Sequence, residues 1–302
     1  MNITCATYNI LHGRYKEMIF ENLRQLRKEG VDIFCLQETP HKFEKDILNF
    51  LEDEGLEHWR SEFAHAGEGG HVGMVWNSDK LTLVKSQVIH LPNLSRPSNM
   101  QRLKGHTHVY QRVALLCTFA CNGSTLNVVT THLAWEGGFT HRLKQLSVLR
   151  ATLEDYKASH DIVCGDFNTT GTKIFTLLQK KSAEQIFGND FINVLPGLKW
   201  TWDTSFSDPE VDWNIAVPVR KLGVRWRSRL DYIFCRNLTV ESSAMHDLPG
   251  SDHRPLVATL SLRAPHSARV GRKSPLRPLF VALENLLNKP ARNREHHRAQ
   301  KR

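Results

Sequence analysis

Asp166 and Asn168 stand two residues apart at the end of the apolar run Ile162-Val163-Cys164-Gly165. In an extended segment that spacing sends both side chains to the same side. One of them can position or deprotonate a water while the other donates an amide hydrogen bond to an oxyanion. Five more polar clusters border apolar runs in the same way: Tyr8-Asn9, Gln37-Glu38, Thr131-His132, Leu230-Asp231 and Ser251-Asp252-His253. Glu38 and Asp252 are hard oxygen donors, suited to Mg²⁺ or Mn²⁺ held by one or two carboxylates plus a substrate phosphate. Asp231 can orient His253 and stabilise its charged form beside that phosphate. A metal ion, an imidazole and an amide are what attack on a phosphodiester demands, because charge stabilisation and in-line positioning supply most of the rate.

Groups of this kind need rigid mounts, and the rest of the chain supplies them. Short apolar segments predict strands at 3–9, 31–37, 71–77, 80–90, 113–120, 125–132, 161–165, 231–235 and 255–262. Helical periodicity runs over 16–29, 40–54 and 140–157, and in the last of these Leu143, Leu146, Leu149 and Leu153 share one face. Strands that outnumber a few long helices predict an α/β fold of two sheets packed face to face with helices outside. Residues 1–262 are read as a single domain.

Of 302 residues, 40% are hydrophobic and 24% charged, a globular composition. No apolar run is long enough to span a bilayer, and the start of the chain lacks the basic and apolar regions of a leader peptide. The six cysteines are scattered singly and read as reduced, buried hydrophobes of an intracellular protein, nuclear or cytoplasmic. The formal charge of +9 sits wholly in residues 263–302, which hold 11 Lys/Arg against 2 Asp/Glu, so residues 1–262 are neutral. That basic, proline-interrupted tail reads as disordered, with an apolar island at 279–287 able to form a short amphipathic helix. Its charge suits electrostatic attraction to nucleic acid, nuclear localisation, or simple solvation.

Together "TYNILHG" (7–13), "FCLQET" (34–39), "TTHL" (130–133), "CGDFN" (164–168), "RLDYIF" (229–234) and "GSDHRPL" (250–256) resemble the endonuclease/exonuclease/phosphatase family in order and spacing. The resemblance covers about residues 2–262. It implies a DNase I-like four-layered α/β sandwich, two packed mixed sheets flanked by helices, and Mg²⁺-dependent phosphoester hydrolysis. It further implies Glu38 as the metal ligand, with Asn9 and Asp252 close to metal or phosphate. Asp166 is then the water-activating base, Asn168 a phosphate-binding amide, Asp231 and His253 a paired phosphate-stabilising couple, and His132 a further phosphate contact. Some relatives carry an acid shortly after the Asn of the first motif; here that stretch is Ile10-Leu11-His12-Gly13, which favours one metal centred on Glu38, with His12 or water completing its shell.

"LKWTWDTSFSD" (198–208) followed by "RWRSRLDYIFCR" (225–236), and "THLAWEGGFTHRLKQL" (131–146), are similar to the 5′-tyrosyl-DNA phosphodiesterase branch of that family. The likeness implies that Trp202 lines a DNA-binding groove, where an aromatic face stacks on a base. Arg112, Arg225, Arg227 and Arg229 are candidate contacts to backbone phosphates, interleaved with Trp200, Trp202, Trp213 and Trp226. The branch match is incomplete. Thr170 stands where the branch has an arginine, and Leu230 where it has an aromatic. Three functions remain open on this reading. The first is a monomeric DNA end-processing phosphodiesterase acting on single-stranded or tyrosyl-linked ends. The second is a general nuclease or small-substrate phosphatase, and the third an inactive nucleic-acid-binding protein. The retention of Glu38, Asp166, Asn168, Asp231, Asp252 and His253 speaks against the third.

Overall fold

Ile3 and Cys5 point to one side of the first strand and Ala6 and Tyr8 to the other, and both sets are buried. A strand buried on both faces needs apolar residues throughout and a cover on each side. The computed structural model, which describes residues 1–67, 71–98, 102, 108–169, 183–206 and 225–262, shows those covers. One sheet consists of β1 (Asn2–Asn9), β2 (Ile33–Gln37), β3 (Trp59–Ala64), β4 (Val72–Asn77), β13 (Thr239–Met245) and β14 (Leu256–Ser261), in the order β13-β14-β1-β2-β4-β3. The other consists of β5 (Thr82–His90), β6 (Val113–Cys121), β7 (Ser124–His132), β8 (His160–Asp166), β9 (Phe191–Asn193) and β12 (Asp231–Arg236), in the order β5-β6-β7-β8-β12-β9. A two-stranded ribbon of β10 (Trp202–Asp203) and β11 (Arg227–Ser228) completes the set.

The two sheets meet across a core that includes Ile3, Cys5, Ile33, Cys35 and Met74 from the first and Leu115, Cys117, Val128, Cys164 and Ile233 from the second. Helices α1 (Lys16–Lys28) and α2 (His41–Asp53) cover the outer face of the first sheet, packing Ile19, Leu23, Leu26, Phe43, Ile47 and Phe50 on Ala6, Tyr8, Phe34 and Leu36. Helix α3 (Gly138–Asp155) covers the second sheet with the predicted leucine face, Leu146, Leu149 and Leu153 fully buried and Leu143 at its margin. The result is helix, sheet, sheet, helix: a DNase I-like four-layered sandwich. All six cysteines are buried free thiols, as read from their scatter.

Register brings the polar clusters to one end. β1 and β2 are parallel with Asn9 beside Gln37, so Asn9 and Glu38 leave the sheet together. β14 runs antiparallel to β1 with Leu256 beside Thr7, which returns residues 251–254 to the same edge. In the second sheet β7 runs parallel to β8, pairing His132 with Asp166, and β12 antiparallel to β8, pairing Asp231 with Asp166. Gly165 has φ 137°, and a Cβ there would collide with the Thr131 carbonyl, so only glycine lets β7 and β8 close up before Asp166.

The structure adds strands that the pattern of residues did not predict. β3 and β13 are edge strands whose faces are partly solvated, and β9, β10 and β11 are only two or three residues long. Thr170, Trp213 and the basic tail 263–302 lie outside the described residues.

Candidate active site

Asn9, at 1% exposure, links the two sheets: its Nδ2 donates to Glu38 Oε1 at 3.1 Å and to Asp166 Oδ2 at 3.2 Å. Its Oδ1 accepts from the Leu11 amide at 3.1 Å. Glu38 sits at φ 59°, its amide bonded to the His71 carbonyl at 2.9 Å. His12 Nε2 lies 3.2 Å from Glu38 Oε2 and His132 Nδ1 4.0 Å from Glu38 Oε1. Leu11, His12, Glu38 and Asn168 all have positive φ, a strained backbone of the sort that gathers where side chains must be aimed.

On the second sheet His132 Nε2 stands 3.4 Å from Asp166 Oδ2. The amide of Asn168 donates to Asp166 Oδ1 at 2.8 Å, and its side-chain Nδ2 donates to the Leu133 carbonyl at 2.8 Å, leaving one Nδ2 hydrogen uncommitted in that bond. The loop 249–254 completes the ring. Ser251 Oγ donates to the Asn9 carbonyl at 2.7 Å and accepts from the His253 amide at 3.1 Å, which fixes Asp252 and His253 relative to β1. His253 Nδ1 faces Asp231 Oδ2 at 2.8 Å and its Nε2 faces Asp166 Oδ2 at 3.7 Å. Half-buried Trp202 donates its indole N–H to Asp252 Oδ2 at 2.7 Å.

The electrostatics follow from burying so many acids together. Burial, with the like charges of Asp231 and Glu38 behind it, pushes the Asp166 carboxyl up to about 7 against the pull of His253. Burial also raises Asp252. Burial works against the His253 imidazolium, yet Asp231, Asp166 and Asp252 together hold its pKa well above the ordinary value. His132 goes the other way: burial, and then the charges of Arg112, His253 and His12, keep it neutral.

A hard divalent cation fits these donors. Carboxylates of Glu38, Asp166 and Asp252 offer oxygens, with Asn9 Nδ2 bracing the first two, and two of these acids are pushed toward their protonated forms by the burial a cation would offset. Asp231 Oδ1, buried, has no hydrogen-bond partner among the described residues. The ligand atoms of Asp166, Asp231 and His253 lie within 4.8 Å of one another, but Asp231 and His253 already bond to each other, which leaves the other acids as the better cation ligands.

Two of the arginines read as phosphate contacts, Arg112 and Arg229, are buried. Arg112 is 3% exposed and paired with buried Glu136 at 3.3 Å, close enough for its charge to act on His132. Arg229 is 2% exposed, 4.3 Å over the Tyr232 ring and 2.9 Å from Asn193 Oδ1. Arg254 is buried too. It bonds Asp247 at 2.6 Å and the carbonyls of Ser251 and His253, bracing the loop that carries the site. Arg225 and Arg227 are half-exposed and both converge on buried Asp203, while Trp226 meets Trp202 edge-on at 6.3 Å. Sequence reading missed the supports. Gln37 ties Thr7 to Thr130 across the sheets, and Arg142 and Gln145 of α3 hold the backbone of Ala134 and Trp135 just beyond His132. The signal for the last pair was present: two polar residues on the otherwise apolar face of α3.

A four-layered sandwich with carboxylates, imidazoles and amides gathered at one end is the scaffold of a DNase I-like protein. The model of the Endonuclease/Exonuclease/phosphatase family matches residues 6–253, and the chain belongs to that family. Its members are hydrolases of phosphoester bonds and are generally dependent on a divalent metal. Among solved structures, the chain is similar to D. rerio TDP2 complexed with single-strand DNA product, at 16% identity and TM-score 0.63 over 86% of this chain and 99% of that one. It is also similar to an endonuclease/exonuclease/phosphatase from Bacteroides vulgatus (18%, 0.64, 87% and 100%). The human Nocturnin catalytic domain with bound sulfate is a third (20%, 0.58, 86% and 94%). These are likenesses of fold. No curated protein sequence matches the chain. Among the described residues no helix is long and apolar enough to cross a membrane.

Proposed function

We propose that this chain is a Mg²⁺-dependent phosphodiesterase that processes DNA ends, of the 5′-tyrosyl-DNA phosphodiesterase type, with Mn²⁺ as an alternative ion. The observation that carries the substrate class is the 2.7 Å bond from Trp202 Nε1 to Asp252 Oδ2, which holds an aromatic ring against one of the acids of the polar cluster. An aromatic platform fixed there stacks a terminal base or a tyrosyl ring while the scissile phosphate lies among the polar groups. The likeness of the Trp202 segment to the tyrosyl-DNA phosphodiesterases and the fold shared with a TDP2 bound to single-strand DNA product support the same reading.

Bound at Glu38, with Asn9 and Asp252 at hand, the metal would supply Lewis-acid stabilisation of phosphoryl charge. The chain's own residues do the rest. Asp166, held by the Asn9 amide and facing the His253 ring, is placed to take a proton from the attacking water in its ionised form, which a bound cation would favour. Asp231 fixes the His253 ring through Nδ1 and keeps it cationic, so its Nε2 hydrogen faces a developing oxyanion. Neutral His132 and the free Nδ2 hydrogen of Asn168 add uncharged donors without adding repulsion.

The test offers the full chain a 5′-phosphotyrosyl oligonucleotide, an abasic duplex, plain single- and double-stranded DNA and RNA, and an inositol phosphate, each with Mg²⁺ or EDTA. The proposal expects Mg²⁺-dependent release of tyrosine to be the fastest reaction. Faster cleavage of plain duplex would make the chain a general nuclease, and preference for the inositol phosphate a small-substrate phosphatase.

A further inference from the structure

A second group of potential metal ligands lies beyond Glu38 and shares no residue with the site described above. His41 and Glu44 occupy the first turn of α2, three residues apart and so on one face of the helix. His65 directly follows β3 and His71 directly precedes β4, and the pairing of Ala64 with Val72 brings these two strand ends together. His65 Nε2 is 3.0 Å from Glu44 Oε2, and His41 Nδ1 is 3.9 Å from the same oxygen. One donor atom from each of His41, Glu44 and His65 falls within 4.8 Å of the others. His65 is the buried member, with a side chain 16% exposed, Glu44 is 35% exposed and His41 74%, so the cluster opens to solvent on the His41 side.

The other nitrogen of His65 is already fixed. Its Nδ1 meets His71 Nδ1 at 3.0 Å, the type of outer contact that sets the tautomer and aim of a metal-binding imidazole. His41 lies tilted at 33° over His65 with ring centroids 3.7 Å apart.

We propose that His41, Glu44 and His65 form a binding site for a divalent transition-metal ion of the zinc class, with His71 orienting His65 from behind. Two imidazoles and one carboxylate are a donor set for zinc-like ions, whereas the oxygen-rich catalytic site suits magnesium. Three protein ligands and an open side leave a position for water. The position of the cluster gives it a consequence. The His71 carbonyl accepts from the amides of Glu38 at 2.9 Å and Thr39 at 3.4 Å, so an ion that ties α2 to β3 and β4 would stiffen the strained turn presenting Glu38.

The experiment uses the full chain stripped with a chelator, held in millimolar Mg²⁺ to satisfy the oxygen site, and titrated with Co²⁺ and then Zn²⁺. The wild type is expected to take one equivalent of Co²⁺ with visible d–d absorption, to surrender it to Zn²⁺ and not to Mg²⁺, and to melt at a higher temperature once loaded. His65→Ala and Glu44→Gln are expected to abolish the absorption, and His71→Gln to weaken binding roughly 10- to 100-fold. Glu38→Gln and Asp252→Asn are expected to leave it intact. Should His65→Ala fail to fold by circular dichroism, Glu44→Gln at its half-exposed position gives the same answer. Absorption that survives both substitutions, disappears in Glu38→Gln, or never develops in folded wild type would overturn the proposal.

Discussion

His253 and Asp231 form a buried pair, Nδ1 to Oδ2 at 2.8 Å, while the second ring nitrogen looks toward Asp166 Oδ2 at 3.7 Å. The pair raises the His253 pKa by opposing the cost of burial. Asp231→Asn keeps the shape and removes the charge, so the imidazole loses its proton at lower pH than in wild type. The expected result is a fall in kcat of about 10²–10⁴-fold, with the alkaline limb of the pH–rate profile moved to lower pH. A slower enzyme with that limb unmoved would assign Asp231 to the fold alone.

Asp166 contributes a pH dependence of stability to the metal-free protein whose sign is opposite to that of the buried neutral His132 and His71. Its folded pKa is raised to about 7, against about 3.9 for a free aspartate. Between these values the folded state holds a proton on Asp166 that the unfolded state has released, so the contribution of this group to stability falls as pH rises from about 4 to about 7. His253, raised above about 6.5, contributes the same sign in a higher window. In EDTA, wild type is expected to lose stability relative to Asp166→Asn as pH rises from about 4 to about 7, and Mg²⁺ is expected to raise the melting temperature more above neutrality than at about pH 5. An unaltered slope in Asp166→Asn would place its origin elsewhere.

Trp202 offers two separable contributions, an indole N–H bound to Asp252 and a ring. Loss of a stacked base is worth about 1–3 kcal/mol, or roughly 5- to 150-fold in oligonucleotide affinity for Trp202→Ala. Trp202→Phe keeps an aromatic face and is expected to lose less. Turnover of a small phosphodiester without a base is expected to be unchanged in affinity. Equal losses on both substrates would show that Trp202 serves only to hold Asp252.

Residues 263–302 carry the whole net charge of +9. Deleting them is expected to leave small-substrate turnover intact and to reduce the salt dependence of nucleic-acid binding, by roughly 0.7–0.9 in log–log slope for each phosphate that the tail no longer neutralises. A slope unchanged by the deletion would remove the tail from nucleic-acid binding.

The end-of-strand clusters were legible because strand register does the assembly: Asn9, Glu38, His132, Asp166 and Asp231 each border a run whose burial on both faces leaves little choice of position. The burial of Arg112 and Arg229 was not legible. A buried guanidinium needs a partner, and Glu136, Asn193 and the Tyr232 ring are partners chosen by the tertiary fold rather than by neighbours in sequence. β13 (Thr239–Met245) escaped because an edge strand with both faces partly wet has no need of alternation. The His41, Glu44, His65 and His71 cluster escaped for a different reason, since beyond the His41–Glu44 pair on one helix turn its members come from two strand ends that only the pairing of β3 with β4 brings together.

The most direct measurement is single-turnover release of tyrosine from a 5′-phosphotyrosyl oligonucleotide, with Mg²⁺ or EDTA, by wild type, Asp166→Asn and His253→Ala. Wild type with Mg²⁺ is expected to turn over, EDTA to stop it, and each substitution to cost several orders of magnitude, on the scale of a lost general base or electrostatic donor, with melting temperatures close to wild type. Turnover in EDTA, or a rate in either variant within a few-fold of wild type, would contradict a metal-assisted hydrolase built on Asp166 and His253.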